Sequence, residues 1–270
     1  MTTLITGASS GLGAAYADRF ARRGDDLVLV ARSAGNLERI AAGVREETGR
    51  SVEVLALDLT DPTDLAALEA RIREDRSIGT LVNNAGTATS GPVATVGAEA
   101  HDAMIALNVV ALTRLSAAAA AAGVGTIVNV ASVMALMQSA GSATYSATKS
   151  YVLAFSEGLR SEVAERGIRV QAVLPGAVRT DFWERSGVDI DTLPPEIVMS
   201  VDDAVDAALA GLDAGEDVTI PALADSAGWD EYEAQRLALV PQLSRREPAP
   251  RYTAATAAGI RIGGPTTSAP

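Results

Sequence analysis

Thr2-Thr3-Leu4-Ile5-Thr6-Gly7-Ala8-Ser9-Ser10-Gly11-Leu12-Gly13 opens the chain, and its reading decides the fold. Thr3–Thr6 has the β-branched, leucine-rich character of a strand, residues 7–13 hold three glycines, and a helical pattern starts at Ala14. Glycines in such a turn accept positive φ and let backbone approach a pyrophosphate. The following helix N-terminus offers free N–H donors and a positive dipole end. Strand, glycine turn and helix together point to a dinucleotide site. The spacing is Gly-x3-Gly-x-Gly rather than Gly-x-Gly-x2-Gly, so the context carries more weight than the motif alone.

Outward from this turn, short apolar runs alternate with segments of helical periodicity. The strand-like runs are Leu27–Ala31, Val52–Asp58, Thr80–Asn83, Thr126–Ala131, Ile168–Leu174 and Val218–Ile220. The helical segments are Ala15–Arg23, Leu37–Thr48, Asp64–Asp75, Met104–Ala122, Tyr145–Arg166 and Asp202–Ala214. Such alternation predicts an α/β fold in which a parallel sheet carries helices on both faces. The runs lack clean period-two patterning, as expected of strands covered on both sides. One domain over residues 1–247 is expected, with a loop or lid at about 180–200 around Phe182 and Trp183. A C-terminal extension at about 222–247 would carry a helix near Ala227–Leu239. The Pro-, Ala-, Gly- and Thr-rich tail 248–270 reads as poorly ordered and is given no role.

Composition narrows the function. A net charge of −12 argues against nucleic acid and anionic lipid as partners. Cysteine is absent and histidine occurs once, at His101, which excludes disulfides and thiolate or histidine-rich metal centres. His101 itself, beside Glu99 and Asp102, reads as a solvated surface residue. The strand at the N-terminus leaves no room for a signal peptide, and the stretch Leu115–Met137 carries too many polar residues and glycines for a membrane span. A cytoplasmic protein is expected.

At the nucleotide end, the second strand runs into Ala31 and Arg32, where an NAD-binding fold commonly places an acid for the ribose hydroxyls. A guanidinium there suits a 2′-phosphate, and the missing carboxylate removes a repulsion against it. NADP(H) is therefore the expected cofactor, with Ser9 and Ser10 as further donors. Asp58, as an acceptor for an adenine amino group or as turn chemistry, and Asn83-Asn84-Ala85-Gly86 fall at strand carboxyl ends, where open parallel sheets bind ligands. Asn83 is assigned a structural role.

At the other end stands Lys149, the one lysine among 22 basic residues, four positions after Tyr145. Ammonium, unlike guanidinium, shifts its pKa readily. At i and i+4 the two side chains share a helix face, and a nearby cation favours the phenolate. Ser132, after its strand, is placed to hold a substrate oxygen while Tyr145 exchanges the proton.

This ordered set, from Thr6 to about Thr180, resembles the single-domain short-chain dehydrogenase/reductase family. The resemblance implies a doubly wound, seven-stranded parallel Rossmann sheet and hydride transfer between nicotinamide and a carbonyl or alcohol carbon. It implies a catalytic tetrad of Asn108, Ser132, Tyr145 and Lys149, with Asn108 anchoring a water in a proton relay and Lys149 bonding the nicotinamide ribose. Cofactor contacts are implied for Gly7, Ser9, Ser10, Gly11, Leu12 and Gly13, for Arg32, Asp58 and Leu59, and for Asn84, Ala85 and Gly86. Tyr145, Lys149 and the loop residues Pro175, Gly176, Val178 and Thr180 complete that set. It also implies a homodimer or homotetramer acting on a small carbonyl or alcohol. Epimerase or dehydratase chemistry and non-catalytic NADP(H) sensing are the alternatives, the latter disfavoured by the intact proton donor.

Overall fold

The structure, a computed structural model, describes residues 1–252; most of the tail reading therefore lies outside the described residues. Seven parallel strands form the main sheet: β1 Thr2–Thr6, β2 Asp26–Ala31, β3 Val52–Ala56, β4 Ile78–Asn83, β5 Thr126–Val130, β6 Arg169–Val173 and β9 Val218–Thr219. Their order is β3-β2-β1-β4-β5-β6-β9, so direction of winding reverses between β1 and β4. That reversal opens a crevice at the strand carboxyl ends, where ligands bind in such sheets.

Successive residues of each strand feed opposite cores, which explains the missing period-two signal. Leu4, Val28, Leu81 and Ile127 pack on one face. Ile5, Leu29, Val82 and Val128 pack on the other. The first face is covered by α3 (Pro62–Glu74), α5 (Leu112–Ala122) and α6 (Ala143–Val163), the second by α1 (Gly11–Arg22), α2 (Ala34–Thr48) and α8 (Val201–Ala214). The alanine run of α5 is core: Ala118, Ala119 and Ala120 are buried where α5 meets α3, and the helix ends on left-handed Gly123.

Two departures bear on the site. The helix expected from Met104 starts earlier, as α4 (Ala98–Ile105), and passes through a π-helical turn, Ala106–Ala111, before α5. This run, Ala98–Ala122, is the one helix among the described residues long and apolar enough to cross a membrane, and half of its apolar window is buried inside the fold. The stretch expected as a loop or lid carries regular elements of its own. It holds α7 (Phe182–Ser186) and a two-stranded ladder of β7 (Ala177–Val178) with β8 (Val198–Met199).

A second unit begins at Leu223 and carries α9, Ala227–Ala238, none of whose residues is buried.

Candidate active site

The crevice has a phosphate-shaped end. α1 starts at Gly11 with Ser10 in extended conformation as its cap, and the Ser10 side chain does not cap it, which leaves the first-turn amides without that partner. Only glycine fits at Gly13, where a Cβ would lie 2.2 Å from the Gly7 carbonyl oxygen. Gly7, at φ +68°, has the same constraint, 2.8 Å from Ala85 Cα. The two turns are laced by Asn84, whose amide donates to the carbonyls of Thr6 (3.0 Å) and Gly7 (3.2 Å), and by Thr6 Oγ1, which accepts from Asn84 N and Ala85 N. Thr180 closes over this turn, its Cγ2 standing 3.0 Å from where a Gly11 Cβ would be. Glycines that let the turn, the start of α1 and the end of β4 pack this closely bring backbone N–H groups together in a form that fits a pyrophosphate.

Beside the cradle, Arg32 is exposed at the end of β2 and its charge reaches Asp58. Asp58 is held below the usual carboxylate range chiefly by the Thr60 hydroxyl and amide, with Arg32 adding to the effect. Its Oδ1 accepts from both Thr60 groups, at 2.7 and 2.9 Å. The turn chemistry foreseen as an alternative for Asp58 is thus present. Leu59, next to it, is buried, and Leu12 is half-buried at the head of α1.

The reacting end is built by β5 and α6. Ser132 follows β5 and caps a 3-10 turn; its Oγ accepts from Met134 N and donates to the Pro175 carbonyl at 3.4 Å. Val133 N also reaches Pro175 O, so the loop after β6, with Gly176 and Val178, is tied to the serine. Tyr145 and Lys149 stand on one face of α6, the ammonium 5.8 Å from the ring centroid, and Ser132 is near enough to the phenol to favour its charged form. Lys149 is buried, its Nζ donating to the Val130 carbonyl at 2.9 Å.

Burial dominates the electrostatics. It pushes the Tyr145 phenol up to about 12, against a smaller downward pull from Ser132, and drives the Lys149 ammonium down to about 8. The expected phenolate-promoting effect of the lysine is therefore not what this structure has. Desolvation penalises both charged forms, and what stands ready at neutral pH is a protonated phenol.

Asn108 sits in the π-helical turn with every amide atom engaged. Oδ1 accepts from Thr87 N (2.9 Å), while Nδ2 donates to Thr87 O (2.8 Å) and Thr148 Oγ1 (3.1 Å). A Cβ on Gly86 would stand 3.4 Å from Asn108 Oδ1 and 3.5 Å from Lys149 Nζ, so the glycine keeps a slot open between them. Thr87, Thr148 and the Val130 carbonyl belong to this site and were missed; no spacing rule marks them. His101 also departs from expectation. It is half-buried, with Nδ1 2.9 Å from Thr144 Oγ1 and Nε2 enclosed without a partner, because α4 packs on the start of α6. Over the phenol lies Phe182, its ring centroid 5.9 Å from that of Tyr145, with Trp183 edge-on to it and donating Nε1 to Val178 O.

Comparison with known proteins agrees with this geometry. The family model for short chain dehydrogenases matches residues 1–190. An oxidoreductase from Staphylococcus haemolyticus is 36% identical over 188 residues, spanning 68% of this chain and 80% of that one. Among solved structures, a short-chain dehydrogenase from Sphingobium yanoikuyae in complex with NADPH superposes with a TM-score of 0.89 at 51% identity, covering 93% of this chain and 99% of that one. A bulky-bulky ketone specific alcohol dehydrogenase from Comamonas testosteroni gives 0.85 at 47%, covering 93% and 98%.

The buried ammonium has a stability signature. Folding moves Lys149 from 10.5 to about 8, equivalent to about 3 kcal/mol. Between those values the unfolded chain holds a proton that the folded chain has released, so this group makes stability rise with pH from about 8 to 10.5, and its cost is full below 8. Lys149→Met is expected to raise the thermal midpoint of the cofactor-free protein at pH 7 by several degrees. Calorimetry giving an unchanged or lower midpoint contradicts this.

Proposed function

The chain belongs to the short-chain dehydrogenase family of oxidoreductases, and on that premise we propose that it transfers hydride between NADP(H) and a carbonyl or secondary alcohol carbon, with Tyr145 as general acid and base. The observation that carries the reading is the Ser132, Tyr145 and Lys149 cluster, with a phenol whose pKa burial raises and an ammonium held on the Val130 carbonyl. When bound, the cofactor supplies the hydride at its nicotinamide ring. The chain supplies the rest.

Ser132 turns its hydroxyl from Pro175 O, a long bond easily given up, to the substrate oxygen. Tyr145, beside Ser132, passes its proton to the same oxygen as negative charge builds there. Lys149, released from Val130 O, steadies the resulting phenolate, and the slot beside Asn108 and Gly86 takes the water that returns the proton. A phenol protonated at neutral pH suits carbonyl reduction. The first-turn amides of α1 bind pyrophosphate, and Arg32 takes a 2′-phosphate.

Phe182 over the phenol, with Trp183 packed edge-on against Phe182 and half-buried Val133 and Met134 beside Ser132, favours an apolar ketone. The ketone specificity of the Comamonas relative supports substituents of some size on both sides of the carbonyl.

Tyr145→Phe is expected to cut kcat for aryl ketones by about 10²- to 10⁴-fold while leaving NADPH binding intact. Arg32→Ala is expected to raise KM for NADPH and not for NADH. Unchanged turnover in the first variant, or tighter NADH than NADPH binding by the parent, defeats the reading.

An assembly of two or four copies belongs to the same reading. An apolar groove of about 430 Å³ on the outer face of α4, the π turn and α6 is lined by Ile105, Val109, Ala147 and Tyr151. Light scattering should give a multiple of the 27.6 kDa chain mass. A monomer mass overturns this part.

A further inference from the structure

Four polar side chains are buried together behind the catalytic cluster. Asn83 at the end of β4 donates through Nδ2 to Ser116 Oγ of α5 and to Asn129 Oδ1 of β5, both at 2.9 Å. Asn129 Nδ2 donates to Ser156 Oγ of α6 at 2.9 Å, and Ser156 Oγ donates onward to the Val152 carbonyl at 2.7 Å. All four residues are at most 3% exposed. Apolar side chains of similar size would fill this space without the desolvation cost, so a polar chain here calls for a reason.

The reason lies in what the two joined elements carry. β5 leads into Ser132, while α6 carries Tyr145, Lys149 and Ser156 at i, i+4 and i+11, on one helical face. Among the described residues, two side-chain hydrogen bonds join β5 to α6: Lys149 to Val130 O and Asn129 to Ser156. The first cannot persist while Lys149 serves the reaction, because its ammonium must leave Val130 to act. The second involves no reacting group. Resting on the reaction assigned above, we propose that Asn129 and Ser156 are positioning residues, a directional tether that keeps α6 in register on β5 when Lys149 lets go. Apolar contact resists separation but tolerates sliding, whereas a hydrogen bond at 2.9 Å fixes register. Register matters because a displacement of about 1 Å at a reacting group costs on the order of 10²-fold in rate.

The test is Ser156→Ala in the full-length protein, which deletes the acceptor for Asn129 and touches neither cofactor nor substrate. With alkyl phenyl ketones as probes, kcat is expected to fall about tenfold, KM for NADPH to stay within twofold, and the isotope effect with 4-deuterated NADPH to rise as hydride transfer slows. Leu159→Val, a buried change one turn along α6, controls for loss of stability and is expected to keep kcat per folded molecule. Wild-type kcat in Ser156→Ala, or an equal loss in Leu159→Val, overturns the tether. Turnover retained by Tyr145→Phe in the same assays overturns the reaction assignment instead, so the two failures are told apart.

Discussion

One ammonium is buried between β5 and α6 with a backbone carbonyl, not a carboxylate, as its partner. A counter-charge would make Lys149 cheaper to bury and would keep its pKa high, since a paired ammonium holds its proton tightly. Leaving it unpaired costs stability and lets its charge respond to whatever enters the site. The raised pKa of the Tyr145 phenol follows from the same desolvation, and the polar chain from Asn83 to Ser156 keeps the two elements aligned around it.

The two ends of the crevice are mechanically joined. Asn84 and Thr6 bind the end of β4 to the glycine turn, so the cradle and the Gly86 slot are joined by hydrogen bonds. On the opposite wall, the loop after β6 touches both halves, with Pro175 holding Ser132 and Thr180 lying over Gly11. A ligand spanning the crevice would therefore meet donors whose spacing is set by the sheet, the arrangement that limits reorganisation during a reaction.

Much of this was legible in the chain. The alternation of strands and helices gave the sheet because both periodicities are local, and Gly7, Gly11 and Gly13 marked the cradle because no other residue fits there. The Tyr145 and Lys149 pair was visible because helical spacing puts i and i+4 side by side. What stayed hidden depends on tertiary burial. Spacing cannot tell whether an ammonium lowers a phenol's pKa or has its own pKa lowered, since that is decided by how much protein surrounds both. Nor does it show the π turn that aims Asn108, the contact that encloses His101, or the backbone carbonyl that holds Lys149. The short helix carrying Phe182 was missed because five residues are too few for a periodic signal.

Because the chain has a single lysine, its charge can be observed without assignment. Protein labelled with ¹³Cε-lysine gives one side-chain resonance to follow against pH, with and without NADPH. The account expects a titration near 8 in the free protein, as burial dictates, and a midpoint displaced on NADPH binding. A resonance titrating near 10.5 in both states would mean that Lys149 is solvated and that the site is not built around a buried, responsive ammonium.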